Sequence, residues 1–282
     1  MKRHRKIKWA RVLFAVFLIM LIVGGIIMCY QNGILKNKKQ GDSIELPSEV
    51  EKEESTSKET NPTNASLESA PSNYQDYSML SDGEYITKNG YTLVIKDGLA
   101  TIDGQLIVNK TYSVPESYKP ENPYSKVESD RCIDCLEKEV MTSFQEMQSD
   151  ASSIGLNIYI ASGYRSYNYQ NTLYNNYSAV SGTEGADTYS ARPGHSEHQT
   201  GLCFDLNSVE ISFANTDEGK WIQNNAYLYG FVIRYPKGKE EITGYQYEPW
   251  HLRYVGEVLA KELYHDGDWI TMEEYYGISS SY

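Results

Sequence analysis

The chain has 282 residues, of which 40% are hydrophobic and 23% are charged, a composition typical of a globular domain with appended segments. Its formal net charge is −12 at pH 7. This acidic balance argues against a nucleic-acid partner, because neutralising phosphates requires basic patches.

Residues 1–30 are predicted to form a cytoplasmic tail and a transmembrane anchor. The basic stretch MKRHRKIKWAR precedes residues 12–30, which carry no charge and are long enough to cross a hydrocarbon core of about 30 Å as a helix. The basic flank favours the cytoplasm, so the rest of the chain is expected outside the cell. Two alternatives fit less well: a cleaved signal peptide, because no A-x-A site follows, and a lipoprotein, because Met28 precedes Cys29.

The next two segments differ in composition. Residues 31–77 are rich in Ser, Glu, Lys, Asn and Thr and contain few apolar side chains, which predicts a disordered tether. Residues 78–112 contain short β-prone runs and are predicted to form a small β-ribbon. These runs are separated by three dipeptides typical of hairpin turns, Asn89-Gly90, Asp97-Gly98 and Asp103-Gly104. The main domain is therefore expected over residues 113–282.

Residues 113–282 contain both helical and strand patterns. Apolar residues at three- and four-residue steps predict a helix over 131–150, and Asn215 followed by Glu218 is typical of the start of a further helix that Gly230 ends. The other predicted elements are strands over 156–161, 201–207, 231–235 and 250–255 and helices over 166–180 and 257–265. Because no βαβ rhythm is present, we predict an α+β fold with a central, mostly antiparallel sheet flanked by helices.

Cys132 and Cys135 form a lone C-x-x-C motif. A structural zinc site is disfavoured there, because no second pair of cysteines is present. A local disulfide outside the membrane and two free thiols at the start of a helix fit the motif equally well.

The segment SEHQTGLCFDL brings a carboxylate into an apolar strand. Alternation puts Asp205 on the face opposite Phe204, and a buried Asp is costly unless it is paired or binds a metal. Both a salt-bridged Asp and a metal ligand fit this segment. His198 precedes the strand, and the segment YEPWH adds Glu248 and His251. Two His and one Asp would leave a zinc ion one open position for water, whose proton a nearby Glu can accept.

Four segments together resemble the VanY-like D-alanyl-D-alanine carboxypeptidases, and equally the related LD-carboxypeptidases of bacterial cell walls. In chain order, over about residues 105–276, they are LIVNKTYSVPESYKP, SGYRSYNYQ, ARPGHSEHQTGLCFDLN and YGFVIRYPKGKEEITGYQYEPWHLRYVG. The resemblance implies the zinc-peptidase fold shared with the Hedgehog signalling domain, which has a central antiparallel sheet.

The resemblance also implies a role for individual residues. It makes His198, Asp205 and His251 the zinc ligands and Glu248 the catalytic base. Arg165 would stabilise the developing oxyanion or hold the substrate. The residues implied to lie near the bound peptide are Gln170, Ser196 and Tyr235.

Two residues of the same segment stand apart from the family pattern. The pattern does not use His195 as a ligand, and we expect it near the rim of the site. Cys203 occupies a position that is commonly alanine, on the Asp205 side of the strand. It is interpreted as a small buried hydrophobe, with an oxidation-sensitive thiol beside the metal as the alternative.

The implied function is that of a zinc carboxypeptidase on the outer face of a bacterial membrane, held there by its single-pass anchor. The enzyme would remove the C-terminal D-alanine from peptidoglycan stem peptides, and we expect it to act as a monomer. D,D-cleavage of pentapeptide and L,D-cleavage of tetrapeptide both remain open. The alternative is a non-catalytic wall-binding or sensing module on the same fold, which the presence of all three ligands and the base disfavours.

Overall fold

The structure is a computed structural model and describes residues 81–282. The anchor predicted over residues 1–30 and the tether predicted over residues 31–77 lie outside the described residues. Among the helices of residues 81–282, none has the length and apolar character that crossing a membrane requires.

The described chain combines antiparallel sheets with helices, in agreement with the predicted mixture of α and β elements. The strands are β1 (Gly83–Ile86), β2 (Thr92–Lys96), β3 (Leu99–Ile102), β4 (Gln105–Ile107), β5 (Arg131–Cys132), β6 (Ile160–Ser162), β7 (Tyr164–Arg165), β8 (Cys203–Leu206), β9 (Phe231–Ile233) and β10 (His251–Tyr254). The helices are α1 (Lys138–Ser153), α2 (Tyr167–Asp187), α3 (Asp217–Asn225), α4 (Glu240–Thr243), α5 (Glu257–Tyr264) and α6 (Met272–Tyr276).

Strands β1 to β4 form an antiparallel meander. The three predicted hairpin turns connect these strands, and both residues of Asp97-Gly98 and of Asp103-Gly104 have positive φ. This is the backbone conformation that type I′ hairpin turns require. Four apolar residues of β2 and β3 are buried in one hydrophobic core with side chains from later in the chain: Leu93, Ile95, Ala100 and Ile102. The meander therefore packs against the elements that follow it.

A second antiparallel sheet has the order β6-β8-β10-β9 and supports the candidate site. Its β8 and β10 pair so that His251 lies opposite Asp205 and Leu252 lies opposite Phe204. Phe204 is fully buried and meets Phe144 of α1 edge to face, with 5.2 Å between ring centroids. Because side chains alternate along strands, this packing turns Asp205 and His251 to the opposite face of the sheet.

The helix predicted over residues 131–150 begins later, at Lys138. Residues 131–132 instead form β5, and a disulfide between Cys132 and Cys135 closes the turn that follows. Ile133, which was expected on the apolar stripe of the helix, is 57% exposed. The prediction of two free thiols at a helix start is therefore wrong, and the disulfide alternative is confirmed.

Other predicted boundaries shift by smaller amounts. The helix expected to begin at Asn215 is capped by Thr216, whose hydroxyl accepts a hydrogen bond from Gly219 N at 3.0 Å. Gly230 ends this region with positive φ, as predicted. The short helix α6 was not predicted, because its five residues are too few for a helical period to be recognised.

Candidate active site

The eight residues that the sequence singled out for catalysis, metal binding or substrate binding line one cavity above the β8–β10 sheet. They are Arg165, Gln170, Ser196, His198, Asp205, Tyr235, Glu248 and His251. They come from five separate parts of the chain, so only the fold brings them together. Aromatic and small polar side chains complete the wall, among them Tyr177, Tyr189, Ser190 and Tyr245.

The three predicted metal ligands converge on a common point. Asp205 lies on β8 and His251 at the first residue of β10, while His198 lies in the 3-10 turn Glu197–Gln199. One carboxylate oxygen of Asp205 is 3.3 Å from His198 Nε2, and the other is 3.3 Å from His251 Nδ1. All three side chains are at least nine-tenths buried.

The second nitrogen of each imidazole is held by a protein oxygen. His198 Nδ1 donates to Gly163 O at 2.6 Å, and His251 Nε2 donates to Glu197 Oε2 at 3.3 Å. These contacts leave His198 Nε2 and His251 Nδ1 to face Asp205. Such outer hydrogen bonds are the usual way in which proteins orient metal-binding histidines.

The residues present fit a divalent metal ion. His198 Nε2 is buried yet has no hydrogen-bond partner of acceptable geometry, which is costly unless a further group interacts with it. Two imidazole nitrogens and one carboxylate are a ligand set that zinc accepts while keeping an open position. His198, Asp205 and His251 would hold this ion.

The side chain of Glu248 lies beside the side chains of these candidate ligands without a hydrogen bond to them, with its Oε2 3.6 Å from His251 Nδ1. Its backbone N donates to Tyr235 O, which fixes the bend before β10. Burial raises the pKa of Glu248 to about 7 in the metal-free protein. A carboxyl group with this pKa can both accept and return a proton near neutral pH.

Arg165 lies on β7 at the edge of the cavity, with its guanidinium 3.7 Å from Asp205 Oδ2. Its Nη1 donates to Gln170 Oε1 at 3.3 Å. Gln170 is buried on α2 and donates in turn to Ala191 O at 2.8 Å. Gln170 therefore holds the Arg165 guanidinium against the cavity wall, and its own amide is engaged by protein atoms on both sides.

Ser196 and Tyr235 both line the cavity. Ser196 is buried directly before the turn that carries His198. The ring of Tyr235 lies 4.9 Å from that of His251 and 4.7 Å from that of Tyr245, between centroids. The structure thus places both beside the candidate ligands.

The sequence reasoning missed a buried ion network under the site. Glu197 Oε1 accepts from Arg234 Nε at 2.7 Å and from Arg253 Nη1 at 3.0 Å. Arg234 also forms a two-bond pair with Glu273 of α6, at 2.8 and 2.6 Å. Burial would raise the pKa of Glu197, but Arg234 and Arg253 hold it well below its usual range. The signal that could have found this network was one arginine within each apolar strand segment, FVIRY and WHLRYV.

Cys203 and His195 differ in their relation to the site. Cys203 is fully buried on β8, and its sulfur lies within 4.8 Å of ligand atoms of both His198 and His251. Alternation had placed it on the Asp205 side of the strand, and it is found there. His195 Nδ1 contacts Asn109 O at 2.8 Å, and its ring meets Tyr282 edge to face.

Comparison with known proteins identifies the family. The family model for VanY, described as D-alanyl-D-alanine carboxypeptidase, matches residues 134–257. The putative carboxypeptidase YodJ of Bacillus subtilis (strain 168) is 38% identical over 244 residues, which cover 81% of this chain and 87% of YodJ.

Solved structures of two carboxypeptidases are also similar. That of the LdcB LD-carboxypeptidase has a TM-score of 0.55 and 38% identity, covering 67% of this chain and 94% of LdcB. That of the vancomycin-resistance D,D-pentapeptidase VanY from the VanB-type cassette, in complex with Zn(II), has a TM-score of 0.51 and 32% identity, covering 60% of this chain and 96% of VanY. Together with the matched family model and the extent of the similarity to YodJ, these likenesses show that the chain belongs to the VanY-like family of D-alanyl-D-alanine and LD-carboxypeptidases.

Proposed function

We propose that this chain is a zinc-dependent carboxypeptidase that removes the C-terminal D-alanine from peptidoglycan stem peptides. The observation that carries the proposal is the convergence of His198, Asp205 and His251 on one point, with Glu248 beside them in the same cavity. The names of the relatives support the substrate class, and the Zn(II) complex of the similar VanY supports the choice of metal.

The residues of the cavity divide the chemistry between them. A zinc ion held by His198, Asp205 and His251 would supply a Lewis acid for the scissile carbonyl and would lower the pKa of a water molecule to about 7. Glu248 accepts the proton of the attacking water and then donates it to the amine of the departing D-alanine. Arg165, held by Gln170, donates hydrogen bonds to the negative charge that develops on the carbonyl oxygen.

The proposal is tested by measuring released D-alanine with the full-length protein in detergent micelles. Pentapeptide and tetrapeptide stem peptides are offered separately, and a pentapeptide ending in L-alanine is the matched control substrate. We expect release from at least one D-alanine peptide, loss of release with a chelator, and recovery when zinc is restored.

Two results would count against the proposal. Release that is unaffected by complete metal removal would contradict the metal assignment. No release from either peptide by a zinc-loaded protein would favour the non-catalytic wall-binding module. The peptide that is cleaved distinguishes D,D- from L,D-activity, both of which occur among the similar structures.

We also propose that residues 1–30 anchor the enzyme in the bacterial membrane with its catalytic residues outside. The basic flank and the uncharged residues 12–30 support this arrangement. Membrane fractions should contain the full-length protein, and deletion of residues 1–30 should release it. In intact cells that carry the full-length protein, added protease should digest the part of the chain that lies outside the membrane. Full protection of residues 81–282 in these cells would contradict the orientation.

A further inference from the structure

The Cys132–Cys135 disulfide lies directly behind the segment Gly163–Arg165. In the register of β5 and β7, Cys132 pairs with Tyr164, and Arg131 pairs with Arg165. The contact is so close that a Cβ on Gly163 would lie 2.1 Å from Ile133 O and 2.8 Å from Cys132 O. The backbone of the disulfide turn therefore sets the position of the Gly163–Arg165 segment.

This segment carries two groups that the active site uses. Gly163 O accepts the 2.6 Å hydrogen bond that orients His198, and Arg165 supplies the cation of the cavity. The segment follows β6, the last strand before it in the four-stranded sheet. Arg165 therefore lies in the separate β5–β7 pair and not in the sheet that carries Asp205 and His251. A shift of the disulfide turn would be transmitted to both groups through the backbone.

Hydrogen bonds hold the turn on the side away from Gly163: Tyr124 N donates to Leu136 O at 2.7 Å, and Ser125 N and Oγ donate to Asp134 O and Oδ2 at 3.2 and 2.7 Å. The β5–β7 ladder has two residue pairs, which is too short to be rigid by itself. Next to it, Ser166 N and Oγ donate to the backbone and side chain of Asp130 at 2.9 and 2.7 Å. Beyond the turn, Glu137 N donates to Gly201 O at 3.0 Å. Only part of the turn is at the surface: Ile133 between the two cysteines is 57% exposed, whereas Cys135 is fully buried.

We propose that the Cys132–Cys135 disulfide is a positioning element for Arg165 and His198, and that its reduction lowers catalytic activity. This inference rests on the proposed carboxypeptidase function. A phosphine reductant would break the S–S bond: each sulfur gains a proton from water, and the phosphine takes up the water oxygen as its oxide. Two thiols would leave the turn held by its hydrogen bonds alone, and the Gly163–Arg165 segment would gain mobility.

The test compares oxidised and phosphine-reduced full-length protein in zinc-containing buffer, with alkylation and mass measurement to count the thiols at Cys132 and Cys135. We expect reduction to lower kcat by roughly ten- to a hundredfold, the range that follows from misplacing a catalytic group by about 1 Å. The matched control is the double variant Cys132→Ser and Cys135→Ser, which should have the low kcat of the reduced protein and no response to phosphine.

Backbone hydrogen exchange provides a readout that global destabilisation would not reproduce. On reduction, amides of residues 163–166 should exchange faster, while amides of β8 and β10 keep their protection. An unchanged kcat in verified reduced protein would overturn the proposal, as would faster exchange spread evenly over both regions. Activity of the oxidised protein reports on the carboxypeptidase proposal separately, because it does not depend on the response to phosphine.

Discussion

Asp205 and His251 are direct register partners on β8 and β10, in the middle of a four-stranded sheet. Arg165, by contrast, lies on the two-residue strand β7, whose ladder partner within residues 81–282 is the equally short β5. A slip of β8 by one residue would bury Asp205 in the core and remove Phe204 from it, so hydrophobic packing strongly specifies the geometry of the candidate ligands. The position of Arg165 depends on local contacts and on one disulfide. The two halves of the site therefore differ in what keeps them in place.

Replacing the proposed base, Glu248, which lies beside the candidate ligands of β8 and β10, should have the largest effect on kcat. Glu248→Gln removes the proton acceptor but keeps the shape of the side chain, so kcat should fall by roughly 10²- to 10⁴-fold. Metal content, measured by elemental analysis, should stay at the wild-type level, since Glu248 is not among the predicted ligands. The matched control is Glu241→Gln, an exposed glutamate outside the cavity that should keep full activity. Wild-type kcat in Glu248→Gln would contradict the assigned base.

Replacing Arg165, the cation that lies next to the disulfide turn, should have the next largest effect on kcat. Arg165→Ala removes donors to the developing oxyanion and should lower kcat by roughly 10²- to 10³-fold. Arg165→Lys keeps the charge without the paired donors and should recover part of the loss. Steady-state kinetics of both variants check this, together with the response of Arg165→Lys to phosphine, which should be smaller than that of the wild type. An equal response of the variant and the wild type to phosphine would show that the disulfide does not act through Arg165.

Weakening the support beneath His251 should have a smaller effect on the metal than removing a ligand. Glu197→Gln preserves shape but removes the charge that faces Arg234 and Arg253, so zinc affinity should fall by roughly ten- to a hundredfold. Competition with a chromogenic chelator measures this affinity. Thermal unfolding is measured in parallel, because removing one partner of a buried ion network costs roughly 3–5 kcal/mol. Unchanged zinc affinity with lowered stability would make Glu197 a structural residue only.

The pH dependence of activity should show an acidic limb. Burial raises the pKa of Glu248 to about 7 in the metal-free protein, and a bound cation nearby lowers it. Below its pKa the carboxyl is protonated and cannot accept the proton of water, so kcat/KM of the zinc-loaded enzyme should rise with pH and level off below about 7. A profile of kcat/KM against pH for the zinc-loaded enzyme checks the direction. Activity that rises as pH falls through this range would contradict the role of Glu248.

The smallest effect is expected at Cys203. The thiol is fully buried beside the histidines, and Cys203→Ala should change kcat by less than about threefold and stability by roughly 1 kcal/mol. A loss of activity comparable to that of a ligand variant would instead favour the thiol as a participant in the metal site. The same kinetic and thermal measurements on Cys203→Ser distinguish loss of volume from loss of sulfur.

Local patterns predicted well wherever the physical cause was local. Asp97-Gly98 and Asp103-Gly104 form hairpin turns because these residue types tolerate the positive φ that the turns require. The same reasoning failed for residues 131–137, where Ile133 and Leu136 have helical spacing although the chain forms a strand and a disulfide-closed turn. The spacing of apolar residues over one or two turns does not reveal whether a segment forms a helix or a turn closed by a disulfide.

The buried network escaped sequence reasoning because its members are distant along the chain. Glu197 pairs with Arg234 and Arg253 across 37 and 56 residues, and Arg234 reaches Glu273 across 39. Each charge alone would be costly in the core, and the sequence does not show which charges compensate one another.

By itself, the sequence determined the turn positions, the alternation that sets Asp205 apart from Phe204, and the residue types suited to metal binding and proton transfer. Only the tertiary structure decided which imidazole nitrogens face Asp205, that Glu197 supports His251, and that the disulfide turn supports Arg165. The physical reason is that side-chain types and short-range backbone preferences are written along the chain. Hydrogen-bond partners and the closeness of two backbones depend on segments that meet only after folding.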